Sequence, residues 1–275
     1  MANILCSTGA IITRKNNRNH KLIKSFAPQI HCDGFEFMMY DTWYEKWEQI
    51  VDDVIGMDLN FPLFHIEKQV GEFISRGESG DIEQANRLFE INCQMAQRIG
   101  ANKAVLHLWS GIPSDRCIET NIRQFAVLDE IAGRYGLLLT VENVPCNHEN
   151  PLLHFERLHA AYPDITFTFD VKFAQFHGEL ATAFSEAYAW LWDSAVQHLH
   201  ISDYGGEYME WPKLESLHIG EGRIDFAKLS QNLARVGYAN TVTLESSSVQ
   251  ADGTPDFVKL NRSLDYLREN CLSFM

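Results

Sequence analysis

No apolar run in the sequence approaches the roughly 20 residues needed to cross a bilayer. A membrane-spanning helix is therefore excluded, and no membrane partner is expected. Positive charge is scarce: 23 Lys and Arg stand against 37 Asp and Glu, a net charge of -14. That balance opposes binding to a phosphate backbone, so no nucleic-acid partner is expected either. The 6 cysteines, at positions 6, 32, 93, 117, 146 and 271, form no Cys-x-x-Cys pair. Such wide spacing predicts reduced, mostly buried thiols in a cytoplasmic protein and not a disulfide framework. The opening Met1-Ala-Asn-Ile-Leu-Cys-Ser-Thr8 lacks a basic region followed by an apolar core, so no signal peptide is expected. There is no linker, low-complexity tract or clear repeat, and one domain over 1–275 is the simplest reading.

What is present is a regular alternation. The chain is 45% hydrophobic over 275 residues, enough for a substantial core. Strand-like runs occur at Ile4–Ile12, Gly34–Tyr40, Met57–His65, Ala104–Trp109, Leu137–Val144, Ile165–Asp170, Ala195–Ile201 and Asn240–Glu245. Helical spacing separates most of them. Thr42 with Glu45, and Asp81 with Gln84, resemble capping boxes. Asn150-Pro151, Asp225 and Thr254-Pro255 read as helix starts, and Gly100, Gly136 and Gly237 as helix stops. Asn19–Phe26 reads as a short helix and Leu180–Trp192 as a helix against a sheet, while 71–80 and 202–222 read as loops. Eight strands alternating with helices predict a parallel sheet closed into a (β/α)8 TIM barrel. An open doubly wound sheet is the competing architecture, weakened by the lack of a Gly-x-Gly-x-x-Gly turn after the first strand.

Four of the runs carry a carboxylate or an imidazole at or near their C-terminal end: Glu142, Asp170, His200 and Glu245. Alone, a strand-end carboxylate is ordinarily a helix cap or a solvated loop charge. In a barrel, however, strand C-termini converge on one mouth. Three carboxylates and an imidazole gathered there repel one another unless a divalent cation sits among them. Hard oxygen donors with one nitrogen suit Mg²⁺ or Mn²⁺, with Zn²⁺ and Co²⁺ also admissible.

The stretches Val141-Glu142-Asn143, Phe169-Asp170, His198-Leu-His200-Ile-Ser-Asp203, His218-Ile-Gly-Glu-Gly222-Arg-Ile-Asp225-Phe226 and Thr243-Leu-Glu245 resemble the xylose-isomerase-like TIM-barrel superfamily. That group includes sugar isomerases and epimerases, inosose dehydratase-like enzymes and the apurinic endonuclease IV branch. The resemblance implies that Glu142, Asp170, His200 and Glu245 bind one divalent metal. It also implies that Glu142 and Glu245 double as an acid/base pair acting on a small sugar, polyol or sugar-acid-like substrate. A homo-oligomer is compatible with the pattern. The alternatives are a dehydratase or lyase of inosose type, an endonuclease-IV-like zinc hydrolase, and a non-catalytic sugar-binding barrel.

Further residues carry paired readings. His107 matches a position where the superfamily places a substrate-contacting or metal-binding histidine, and a hydrogen-bonded barrel histidine is the alternative. His65 has the same two readings. Trp109 is either a wall for a sugar ring or a structural aromatic. Lys172 either binds an anionic group or donates a proton in the mouth, or it pairs with a cleft carboxylate. Glu36 is a cleft residue or an internal charge partner. His198 shares the face of His200 and reads as a barrel-interior residue one layer below the mouth, with direct metal ligation as the alternative. Asp203 orients a ligand or caps its loop. The chain also departs from relatives' patterns: Phe173 replaces a histidine, Tyr204-Gly205-Gly206-Glu207 replaces an arginine-bearing stretch, and His148 replaces a second glutamate.

Overall fold

A computed structural model of the protein describes residues 3–271, without the side chain of Cys271. Eight parallel strands hydrogen-bond in sequence order and close into a barrel. They are β1 (Ile4–Ser7), β2 (Gly34–Met38), β3 (Leu63–His65), β4 (Lys103–Leu106), β5 (Leu138–Glu142), β6 (Thr166–Asp170), β7 (Val196–Ile201) and β8 (Thr241–Leu244). The helices are α1 (Leu22–Phe26), α2 (Trp47–Ile55), α3 (Gln69–Arg76), α4 (Asp81–Arg98), α5 (Ile118–Arg134), α6 (Pro151–Ala161), α7 (Val171–Phe176), α8 (Leu180–Ala183), α9 (Phe226–Arg235) and α10 (Phe257–Tyr266). Among the described residues no helix is long and apolar enough to cross a membrane, and Cys6, Cys32, Cys93, Cys117 and Cys146 are free thiols. Contacts concentrate into two compact units, residues 1–36 with 169–275, and residues 37–168.

In the first unit β1 pairs with β2 and β8, and β7 pairs with β8. Side chains alternate along each strand. Leu199 and Ile201 on β7, and Val242 and Leu244 on β8, are the apolar set, all buried. His198, His200, Thr241 and Thr243 are the polar set, on the opposite face. Phe184 stacks on Trp192 at 4.3 Å between ring centroids, and Phe169 meets Trp192 edge-on.

In the second unit β4 lies between β3 and β5, and β5 pairs with β6. Leu139 and Val141 of β5 belong to the apolar face, whereas Thr140 and Glu142 share the other. Thr140 and Thr168 hydrogen-bond across β5 and β6 at 2.7 Å. Phe155 stacks on Phe167 at 3.9 Å.

The alternation read from the sequence holds, with local corrections. The first strand stops at Ser7, whose Oγ accepts the Gly9 N–H and turns the chain into a 3-10 helix, Thr8–Ala10. The third strand keeps only Leu63–His65, and the fourth stops at Leu106, so His107 and Trp109 lie just beyond its end. Thr42 and Glu45 do not cap a helix; they lie in a 3-10 helix, Asp41–Lys46, and α2 starts at Trp47. The Asp81 carboxylate binds Arg76 and the Glu78 N–H instead of closing a capping box. Leu180–Trp192 is not one helix. The Phe184–Trp192 stack and a bond from Trp192 Nε1 to the Ala183 carbonyl fold it back on itself. The last helix is capped by Asp256, whose side chain accepts from Lys259 N, and not opened at Thr254-Pro255.

The larger corrections are two helices absent from the reading above. α7 follows β6 at once because Asp170 caps it. α3 occupies what reads as a loop. Its Gly71 is needed because a Cβ there would lie 1.9 Å from the His107 carbonyl oxygen, so only glycine lets the helix rest on the backbone after β4. Gly71→Ala therefore destabilises the protein by about 2–3 kcal/mol, the scale of core overpacking. Gly133→Ala, in α5 with nothing within 4 Å of the added Cβ, stabilises by about 0.5–1 kcal/mol through the lost backbone entropy. Denaturant melts of both variants check the opposite signs.

Candidate active site

The first unit gathers three of the four strand-end residues. Asp170 ends β6 and is buried; its Oδ1 accepts the Phe173 N–H at 2.8 Å, and its Oδ2 lies 3.8 Å from Lys172 Nζ. Glu245 follows β8 directly, and its N–H continues the ladder to the Ile201 carbonyl at 2.9 Å. His200 Nδ1 faces Glu245 Oε1 at 3.6 Å. Asp170, His200 and Glu245 each offer a ligand atom, all within 4.8 Å of one another. This is a donor set of two carboxylates and one imidazole, of the kind that suits a divalent cation.

Beneath His200 lies a buried polar chain. Glu36, at 0% exposure in the apolar strand Gly34–Met38, accepts from His198 Nε2 at 3.1 Å and from His200 Nε2 at 3.0 Å. His198 Nδ1 meets Thr241 Oγ1 at 2.7 Å. Burial alone would raise the Glu36 carboxyl, but His200 and His198 overcome it and hold the group well below the usual carboxylate range. Lys172 is buried, donates to Ser216 Oγ at 2.9 Å and lies over the Phe173 ring at 4.2 Å. Phe173, which replaces the relatives' histidine, thus contributes a ring face under a cation.

Asp203 caps its loop. Its carboxylate accepts four backbone N–H groups, of Tyr204, Gly220, Gly222 and Ile224, at 2.8–3.0 Å. A Cβ on Gly222 would meet Asp203 Oδ1 at 2.4 Å. The motif His218-Ile-Gly-Glu-Gly222 therefore holds the long loop after β7 in place. His218 bonds Ser263 and Ser248 through its two ring nitrogens.

The second unit gathers Glu142, His107 and His65. Glu142 is 1% exposed; its Oε2 lies 2.6 Å from His107 Nε2 and 3.6 Å from His65 Nε2. The three offer ligand atoms within 4.8 Å of one another. His65 donates through Nδ1 to the Ile66 carbonyl at 3.0 Å. In the neutral ring that leaves a lone pair on Nε2, on the side of the Glu142 carboxylate. Either a proton or a cation reconciles that pair.

Trp109 is not a wall of this cluster. It is 0% exposed, donates to the Val144 carbonyl at 3.1 Å and meets His154 edge-on, so the structural reading describes its place. His154 leads to a residue the sequence reading missed, Asp115. Its carboxylate accepts the N–H groups of Asn147, His148 and Glu149 and contacts His154 Nε2 at 3.0 Å. It thereby clasps the loop that follows Glu142 and Pro145. Asp115 lies in no periodic run, and only its partners in space identify it. Glu36, by contrast, signals itself as a lone carboxylate in an apolar strand.

A family model described as xylose isomerase-like TIM barrel matches residues 26–270. The uncharacterized protein MJ1311 of Methanocaldococcus jannaschii is 30% identical over 149 residues, 52% of this chain and 48% of that protein. The chain thus matches about half the length of that curated relative. Among solved structures, D-allulose 3-epimerase from Methylomonas sp. in complex with D-allulose superposes with a TM-score of 0.74 at 13% identity, over 98% of this chain and 97% of that one. The IOLI protein with a binding zinc atom superposes with a TM-score of 0.68 at 14% identity, over 98% and 96%. At these identities the two structures establish the fold.

The Asp115 clasp makes a pH-dependent contribution to stability. Burial would raise its carboxyl, but His154 and the backbone N–H groups hold it well below the usual range. A depressed folded pKa supplies stability that is complete above the unfolded value, about 3.9, and that is lost as pH falls through the folded value. Asp115→Asn lowers stability by about 1–3 kcal/mol at neutral pH. Its deficit against wild type narrows below about pH 4, which chemical denaturation across that range checks.

Proposed function

The chain belongs to the xylose isomerase-like TIM barrel family, and on that premise we propose that it is a divalent-metal-dependent isomerase or epimerase of a small sugar, polyol or sugar-acid-like compound. The reading treats 1–275 as one barrel domain. One observation carries it: Asp170, His200 and Glu245, at the ends of β6, β7 and β8, offer ligand atoms within 4.8 Å of one another. In this reading Glu142 is the fourth ligand. It ends β5, in register with Thr168, two residues before Asp170 on the same face of β6. The donor set suits Mn²⁺, Mg²⁺, Zn²⁺ or Co²⁺. The zinc in the IOLI structure and the sugar in the epimerase structure are in keeping with such a site.

A bound divalent cation supplies the charge that polarises a substrate carbonyl and its neighbouring hydroxyl, lowering the barrier to removal of a carbon-bound proton. Glu142 and Glu245 are the acid/base pair: one takes the proton from carbon and the other returns it. Lys172, beside Asp170, offsets the negative charge of that carboxylate and presents an ammonium to an anionic substrate group. His65 and His107 position substrate hydroxyls next to Glu142. A dehydratase of inosose type shares the proton abstraction and differs in what leaves afterwards. The departures at Phe173, Tyr204 and His148 weigh against a standard free-ketose epimerase.

A second reading is favoured by the His65–His107–Glu142 cluster. The lone pair of His65 Nε2 on the side of a carboxylate suits a second cation, which would make the centre polynuclear, as in a zinc hydrolase. Metal content by elemental analysis separates the two: one ion per chain supports the isomerase, two or more the hydrolase.

Screening ketoses, inososes and sugar phosphates with added metal in deuterated water tests the reaction. The expected result is incorporation of solvent deuterium at carbon, abolished by chelation and restored by Mn²⁺. Glu245→Gln lowers the exchange rate by about 10²–10⁴-fold, the range of general acid/base catalysis, with an unchanged melting curve. Wild-type exchange in that variant would overturn the acid/base assignment.

A further inference from the structure

We propose that Glu36 is a positioning residue for the metal site: it accepts a hydrogen bond from His200 Nε2 and so presents the Nδ1 lone pair of that ring to the cation. The inference rests on the metal-dependent reading above. It concerns a buried carboxylate that contributes no step to that chemistry.

The geometry selects one arrangement of protons. Both carboxylate oxygens of Glu36 lie 3.0 Å from His200 Nε2, and Oε2 also lies 3.1 Å from His198 Nε2. A carboxylate accepts only, so each imidazole must present an N–H there. A lone pair facing a fully buried anion would be strongly unfavourable. In the neutral ring, with the proton of His200 on Nε2, Nδ1 carries the lone pair, and Nδ1 is the atom 3.6 Å from Glu245 Oε1. The same logic reaches one residue further. With its own proton on Nε2, His198 accepts at Nδ1 from the Thr241 hydroxyl at 2.7 Å. The chain Thr241–His198–Glu36–His200 thus has a consistent donor and acceptor at every link.

This is the carboxylate–histidine–metal arrangement in which a partner beyond the ligand sets tautomer, ring orientation and basicity. Glu36 also offers an oxygen within 4.8 Å of ligand atoms of His200 and Glu245, but both its oxygens already lie 3.0–3.1 Å from imidazole nitrogens, contacts that a positioning role keeps and direct ligation would give up. His198 Nε2 shares Glu36 Oε2 with His200, at 3.1 Å, and so restrains the carboxylate from rotating away from His200. The sequence departs from a simple buried strand at this point: Phe35-Glu36-Phe37 places an anion between two buried aromatics, an arrangement that is stable only with such partners.

The test has two parts. The first needs no variant: long-range ¹H–¹⁵N correlation spectra of the metal-free protein report the tautomer of each histidine. His200 and His198 are expected as the Nε2–H form, and an Nδ1–H form of His200 would overturn the inference. The second is titration of Mn²⁺ into wild type, Glu36→Gln and Asp170→Asn, each first shown to be folded by its melting curve. Glu36→Gln keeps the shape but places an amide N–H₂ against one imidazole. Its affinity for Mn²⁺ is expected to fall by about 10–100-fold with unchanged stoichiometry. An unchanged affinity in Glu36→Gln, with a wild type that binds Mn²⁺, sinks the positioning role alone. Loss as complete as in Asp170→Asn overturns it in favour of direct ligation. A wild type that binds no divalent metal removes the metal-dependent reading and this inference with it.

Discussion

A carboxylate taken out of water must find an opposite charge or several hydrogen-bond donors, and this protein buries Glu36, Glu142 and Asp170 on its strands. The strands are parallel, so their apolar sides face helices and their alternate positions face inward. Where those positions are Glu36, Glu142 and Asp170, each meets a donor or a basic side chain. Glu36 is held by two imidazoles, Glu142 by His107, and Asp170 by the first turn of the helix it caps and by Lys172. In the proposed function, a divalent cation would offset the negative charge that remains.

The same constraint organises the loops. Asp203 and Asp115 are buried acids far apart in sequence, and each gathers backbone N–H groups from the segment it must hold. Asp203 fixes the stretch after His200, and Asp115 fixes the stretch after Glu142. A carboxylate that accepts three or four N–H bonds has its hydrogen-bonding capacity met by backbone and leaves its loop little freedom. Asp203 and Asp115 are thus satisfied largely by backbone and serve as structure. Glu142 and Asp170 instead meet side chains, and they are the acids assigned to the proposed site.

Fold and site were legible in the sequence to different depths. The alternation of strands and helices was visible because a strand buried on one side by helices reads as a short β-branched and aromatic run, and helix stops such as Gly100 and Gly136 are local backbone requirements. The candidate ligands were visible because Glu142, Asp170, His200 and Glu245 each terminate such a run. The missed helix α3 was hidden by Gly71, a residue that argues against helix locally and is required by a contact with the His107 backbone. The segment after Ala183 was misread as one helix because its apolar residues suit a helix, while the Phe184–Trp192 stack folds it back.

The sequence by itself determined the barrel class and the chemistry available at the strand ends, because strand period, turn residues and the identity of the terminal side chain are all local. Only the tertiary structure decided which of those side chains do what. Trp109 and His107 lie two residues apart after β4. One is sealed in the core against Val144 and His154, and the other meets Glu142. Glu36, in a strand that names no partner, became the link between His198 and His200. Charge compensation is a relation between residues up to 164 positions apart. No local pattern encodes it, because the energy that selects the partner exists only when the two are brought together away from water.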